Sequence, residues 1–252
     1  MFHLALYSAA IASATANTQL NQLGDAVIAT SVNGYLVNGQ LPNLMRVAGV
    51  GNILNRAQLS SASIRKFFPW DINPVNVGTV FESPARVVHL ENSPFALTPN
   101  EELDCYVTDS AATSTQTTVG VWFCDGPIRP IVNNGILTVH WTASITLTAN
   151  VWSAVTMSFD NGIPSGTWAI VGSKQKSASA LFHRFIPRGG NSPARPGTTS
   201  VQTFDGFALE MDRMGGLGQW MQFTNTTPPQ CEIFAGSADT SEEGFLDLLQ
   251  VA

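Results

Sequence analysis

ILTVHWTASITLTANVWSAVTMSFDNGIPSGTWAIVG, residues 136–172, decides the fold class. Leu137, Val139, Trp141, Ala143, Ile145 and Leu147 alternate with Thr138, His140, Thr142, Ser144, Thr146 and Thr148. A repeat of two puts one set of side chains on a buried face and the other in water, which describes a β-strand. After Ala149-Asn150 the pattern resumes with Val151, Val155, Met157 and Phe159, Ser153 being the exception. Asp160-Asn161-Gly162 and Pro164-Ser165-Gly166 then turn the chain, and Thr167–Gly172 reads as a third strand.

The same style extends in both directions. Upstream, strands are expected at Asp25–Val37, Leu41–Val50, Asn76–Phe81, Arg86–Leu90, Glu102–Thr108 and Thr117–Cys124. Leu59–Phe68 fits either a short helix or a strand, and Pro69 ends it. Downstream, strands are expected near Arg129–Val132, Ser179–Ile186, Thr203–Glu210, Gln219–Thr224 and Cys231–Phe234, with a terminal helix at Ser241–Leu249. Loops fall at Asp109–Gln116 and Pro187–Gly197. Roughly seven or eight strands lie on each side of the Asp125-Gly126-Pro127 turn, at the spacing of sandwiches or jelly rolls. The even split predicts two in tandem, 25–126 and 127–252, after an N-terminal arm at 1–24.

Composition narrows the function. Only 12% of the 252 residues are charged, against about 25% in ordinary soluble domains. Asn, Thr, Ser and Gly fill the gap, which suits a chain that covers much of its outside with neighbours. The net charge is −6 and there is no basic run, so direct nucleic-acid binding is not expected. Cys105, Cys124 and Cys231 make no disulfide framework. Free buried thiols fit best, with a Cys105–Cys124 bridge as the alternative if their strands are neighbours.

Residues 1–24 hold no Asp, Glu, Lys or Arg, so the stretch lacks the positive n-region of a leader peptide. It is also too rich in Ser, Thr, Asn and Gln to span a membrane. It reads as an extended or short helical arm that docks on a partner.

Chemistry is sparse. His3, His89, His140 and His183 have no metal-ligand spacing, and neither HExxH nor CxxC occurs, so no metal, cofactor or catalytic residue is expected. His140 falls on the polar face of its strand. Glu101-Glu102 and Glu242-Glu243 read as acids at element starts. Gly215-Gly216-Leu217-Gly218 precedes a strand, where a phosphate cradle would precede a helix. Asn225-Thr226-Thr227 is a formal glycosylation sequon. Trp122, Trp141 and Trp168 sit in strand-like runs and read as core.

The order of features carries a resemblance. Ser63-Ile64-Arg65-Lys66, Ile72-Asn73-Pro74 and Leu97-Thr98-Pro99 are followed by Val121-Trp122-Phe123-Cys124-Asp125-Gly126-Pro127. Then come Val151-Trp152, Ile163–Gly172, Phe182-His183-Arg184 and Arg195-Pro196-Gly197. Gly218-Gln219-Trp220, Thr227-Pro228-Pro229 and Ser237-Ala238-Asp239 close the series. Over residues 40–250 this resembles the double jelly-roll major capsid proteins of small tailless icosahedral phages and related viruses.

The resemblance implies an all-β chain of two tandem eight-stranded antiparallel jelly-roll barrels. It implies a structural protein rather than an enzyme, assembling in the host cytoplasm into pseudo-hexameric homotrimers of a virion shell. Its partners would be copies of itself, penton or minor capsid proteins, and an internal membrane. Assembly contacts are then expected at Phe2, Leu4, Leu6 and Tyr7 of the arm and at Arg184, Arg188 and Arg195. Turns are expected at Gly126, Pro127, Gly166, Gly197 and Gly218. The competing class is a carbohydrate-binding or glycan-processing β-sandwich presenting an exposed tryptophan.

Overall fold

The computed structural model describes residues 1–11, 15–50, 54–64, 70–72, 87–109, 116–131, 135–188, 194–201 and 212–251. The expected strands at 76–81 and 203–210, most of the loop at 109–116 and residues 189–193 of the loop at 187–197 lie outside them. The chain divides into two compact units, the first made of Phe2–Phe81 and Ala85–Pro127, the second carrying Ile128–Ala252. No α-helix forms among the described residues.

The first unit contains β1 (Phe2–Ala10), β2 (Thr15–Gln19), β3 (Asn21–Gln22), β4 (Tyr35–Leu36), β5 (Asn43–Val50) and β6 (Leu54–Ser60). It continues with β7 (Trp70–Ile72), β8 (Val87–His89), β9 (Phe95–Ala96), β10 (Glu102–Asp109) and β11 (Gln116–Cys124). One sheet runs β3-β1-β11-β5-β8, with β9 on β5, and the other runs β2-β10-β6-β7, with β4 on β10.

The second unit contains β12 (Ile136–Ser144), β13 (Trp152–Val155), β14 (Ser158–Phe159), β15 (Thr167–Lys176) and β16 (Ala180–Ile186). β17 (Gly197–Thr199), β18 (Met221–Thr224), β19 (Gln230–Ala235) and β20 (Ser241–Gln250) complete it. Its sheets run β14-β12-β20-β15-β18 and β13-β19-β16-β17.

The two units share one topology. In each, let the eight principal strands be counted along the chain, leaving out β3, β4, β9 and β14. One sheet then reads first-eighth-third-sixth and the other second-seventh-fourth-fifth, in both units. The long ladders are antiparallel. That is the strand order of a jelly roll, present twice. The chain is a double jelly roll.

Residues 2–10 are not an arm. β1 pairs with β11 from Phe2↔Cys124 to Ala10↔Gln116, in the middle of its sheet. Phe2 through Ser8 are buried on both faces of the strand, so no polar–apolar alternation marks it. The terminal helix at 241–249 is likewise a strand. β20 lies between β12 and β15, and pairing on both sides overrides a Ser-Glu-Glu start and a leucine-rich run that suit a helix. The expected strand at 25–37 shrinks to β4, because Asp25 Oδ1 accepts the Val27 amide and Ser31 and Gly34 close a turn. Residues 129–131 are not strand.

Elsewhere the alternation holds. In β12, Val139 and Trp141 are buried while Thr138, Thr142 and Ser144 are exposed. Each unit has its own aromatic core. Tyr7, Tyr35, Trp122 and Phe123 are buried in the first, and Trp141, Phe182, Phe185 and Phe234 in the second. All three cysteines are free and buried. Burial pushes the Cys124 thiol up to about 11 and the Cys105 and Cys231 thiols higher still.

Candidate functional site

The residues expected at assembly contacts mostly serve the core. Phe2, Leu4, Leu6 and Tyr7 are fully buried in the first roll. The Tyr7 hydroxyl donates to the Leu103 carbonyl, and its ring meets Tyr35 edge-on at 5.0 Å. Burial holds that phenol well above its usual range. A core strand cannot also be a free tether.

Arg184, on β16, is buried as well. Its Nε donates to Glu232 on β19 at 2.7 Å, and its guanidinium lies over Trp152 of β13 at 4.1 Å. Arg195 donates to both Glu232 oxygens at 3.2 and 3.0 Å. One carboxylate thus holds two arginines. The first roll has a parallel arrangement in which Arg46 donates to Glu91 at 2.6 Å and lies 5.7 Å from the Trp122 ring. Of the three named arginines, only Arg188 is exposed.

Gly126 and Pro127 follow β11 at the boundary between the units. Gly166 and Gly218 have φ of 136° and 67°, the left-handed side that favours glycine. Gly197 is no turn. It pairs with Arg184 inside the sheet, where an added Cβ would sit 2.2 Å from the His183 carbonyl.

The aromatic platform of a sugar-binding protein does not form among the described residues. Trp122, Trp141, Trp168 and Trp220 are 0–5% exposed, and Trp152 is covered by Arg184. The Trp70 side chain lies outside the described residues.

Polar side chains converge instead at one corner of the second roll. A cleft of about 550 Å³ is lined by Thr142–Ser144 of β12, Lys176 at the end of β15 with Ser177 and Ala178 after it, and residues 239–243, which run into the start of β20. Glu242 shares the inward face of β20 with Gly244, Leu246 and Leu248, all buried. Burial first, and then the charge of Asp239, raise its carboxyl to about 7. Asp239 behaves oppositely. Burial pushes its carboxyl up, but hydrogen bonds from Ser177 and from the Thr240, Ala178 and Ser241 backbones outweigh this and hold it low.

Outside this pair, Lys176 Nζ donates to Glu243 at 2.5 Å. His140 lies 2.6 Å from Asp160 and 3.5 Å from Glu243, so it belongs to a surface ion network. Among the described residues no group of three or more His, Cys, Asp or Glu side chains is placed to hold a metal ion. Sequence reasoning passed over this corner by taking 241–249 for a helix. Read as a strand, Glu242 falls in phase with Leu246 and Leu248, and that is the signal of a buried acid.

No family model matches the chain, and no curated protein matches it. Among solved structures it is similar to the major capsid protein P2 from bacteriophage PM2. The identity is 11%, with 100% of this chain and 98% of that one covered and a TM-score of 0.26. It is also similar to the STIV major capsid protein, at 8% identity over 97% of each chain and a TM-score of 0.25. The superpositions are loose, and the jelly-roll assignment rests on the chain's own strand order.

Proposed function

We propose that the chain is a major capsid protein whose work is self-assembly, with no catalytic step. The observation that carries this reading is the repeat of one jelly-roll strand order in two units of one chain. Three such chains around a threefold axis present six similar rolls, a pseudo-hexagonal tile that can pave an icosahedral shell. A surface with few charges supports close lateral packing, since interface cores are depleted of charge. The described outermost strands are short, two to five residues in β2, β3, β7, β8, β13, β14, β17 and β18. Short edges discourage strand-to-strand addition, which leaves faces and loops as the contact surfaces. The exposed Arg188, penton or minor proteins, and a membrane beneath the shell belong to this reading, as does assembly in the cytoplasm of a phage-infected host cell.

The test is the mass of the purified protein by light scattering and native mass spectrometry. The expected result is three chains of 26.9 kDa, about 81 kDa, or larger shells. A monomer that stays monomeric on concentration overturns the proposal.

A further inference from the structure

One hydrogen is contested at the corner of the second roll. Ser177 Oγ lies 2.6 Å from Asp239 Oδ2 and 3.3 Å from Glu242 Oε1. A hydroxyl has a single hydrogen, and the shorter contact assigns it to Asp239. The same Oγ accepts the backbone N–H groups of Ser179 and Ala180 at 3.3 and 3.2 Å, which fixes its position. On its other side, Glu242 Oε2 accepts Gln175 Nε2 at 2.6 Å, and that amide nitrogen also donates to the Lys176 carbonyl. Oε1 therefore faces an oxygen with no hydrogen left to offer. The two lone pairs of Ser177 Oγ are taken by the Ser179 and Ala180 amides, so an ionised Oε1 would be a buried charge without a donor on this side, in a residue only 2% exposed, and the neutral acid costs less.

We infer that Glu242 is a proton-binding switch: as a neutral acid it packs beside the Ser177–Asp239 bond, and losing its proton sets two carboxylates against each other and loosens the turn at 236–240 from the turn at 177–179. The proton passes to water through the open cleft, leaving two carboxylates around one hydroxyl hydrogen. Among the described residues no neighbouring cation compensates. On β15, Lys176 is engaged with Glu243, and Lys174 stands opposite Phe245. On β12, Glu242 faces Ala143, while His140 reaches Glu243. On β19 the Cys231 thiol interacts with Glu242 and is itself held neutral by burial. Asp239 is the only other charged group in the chain of contacts, and it has the wrong sign. The inference concerns one roll alone and does not depend on shell assembly.

The sign follows from a carboxyl raised from 4.5 to about 7 on folding. The stability it contributes is full below the unfolded value and is lost as pH rises through the folded one. The direct test is a side-chain carboxyl ¹³C NMR titration of the full chain. Glu242 is expected to titrate near 7, and Asp239→Asn is expected to lower that midpoint by about one pH unit or more. In parallel, the protection of residues 236–240 from hydrogen exchange, taken relative to the intrinsic rate at each pH, should fall at least tenfold as pH passes the midpoint. Glu242→Gln, which mimics the protonated acid, should abolish that fall. A Glu242 midpoint at the ordinary 4.5, or one that Asp239→Asn leaves unmoved, overturns the switch even if Glu242→Gln does not fold.

Discussion

The guanidinium of Arg184 is held between Glu232, 2.7 Å away, and the face of Trp152, 4.1 Å away. The charge is buried yet paired, and the ring supplies a second, flat partner. Removing Glu232 takes a 2.7 Å carboxylate partner from a buried guanidinium. Glu232→Ala removes the carboxylate that Arg184 and Arg195 share and should cost about 3–5 kcal/mol of the second roll's stability in urea unfolding. Arg184→Lys should also destabilise, because an ammonium cannot both stack and donate from a planar fork. A Glu232→Ala loss below about 1 kcal/mol would show that the pair behaves as a surface ion pair.

Gly244 stands directly opposite Trp141 across the β12–β20 ladder. A Cβ there would lie 2.8 Å from two indole carbons and 2.7 Å from the Lys174 carbonyl. Gly244→Ala should therefore destabilise by about 1–3 kcal/mol through overpacking. Pairing it with Trp141→Phe should recover part of the loss. The same alanine at Gly162, where nothing lies within 4 Å, should be close to neutral. Thermal unfolding of the three variants separates these outcomes.

Residues 2–10 give the sharpest contrast between a tether and a core strand. A dispensable arm could be removed with the fold intact. β1 instead pairs along its whole length with β11 and buries Phe2, Leu4, Leu6 and Tyr7. A chain lacking residues 2–10 should lose the cooperative unfolding of the first roll and become protease-sensitive across residues 15–127, while residues 135–251 stay resistant.

His183 sets an acid limit. Its ring nitrogens meet the hydroxyls of Ser173 at 2.8 Å and Ser200 at 3.2 Å, and burial lowers its basicity from the ordinary 6.5 to about 3. A depressed value means that the unfolded chain takes up the proton first. The associated stability is present above 6.5 and drains away as pH falls towards 3. His183→Gln should flatten that acid-side slope in a melting-temperature series, whatever it does to the plateau. An unchanged slope would assign the acid limit to other groups.

Much of the architecture was legible in the sequence, and the misses share a cause. Strict alternation located β12, and Gly-Pro punctuation marked the end of β11 at Cys124. β1 and β20 escaped because a strand buried on both faces, or one with a glutamate on its inner face, shows no clean period of two. The arginines stood out in sequence, but the partner of Arg184 lies 48 positions away, and nothing local distinguishes a buried pair from a surface contact. Trp141 was assigned to the core from its place in the alternation alone. The contested hydrogen at Ser177 depends on a side chain 65 positions downstream, and only the folded corner brings the two together.

Ser8 and Thr118 join hydroxyls across 110 positions of chain, and the Thr138 hydroxyl donates to the Asp247 carboxylate across 109. Both bonds tie the opening strand of a roll to its closing strand. Neither sheet is complete at its centre until the final strand of its roll arrives, so loop-closure entropy comes before most of the compensating contacts. Each roll should fold slowly, by a late zipping step rather than outward from a local hairpin. On the ribosome these become two separate closures. The first can begin once β11 has emerged, and the second must wait for β20.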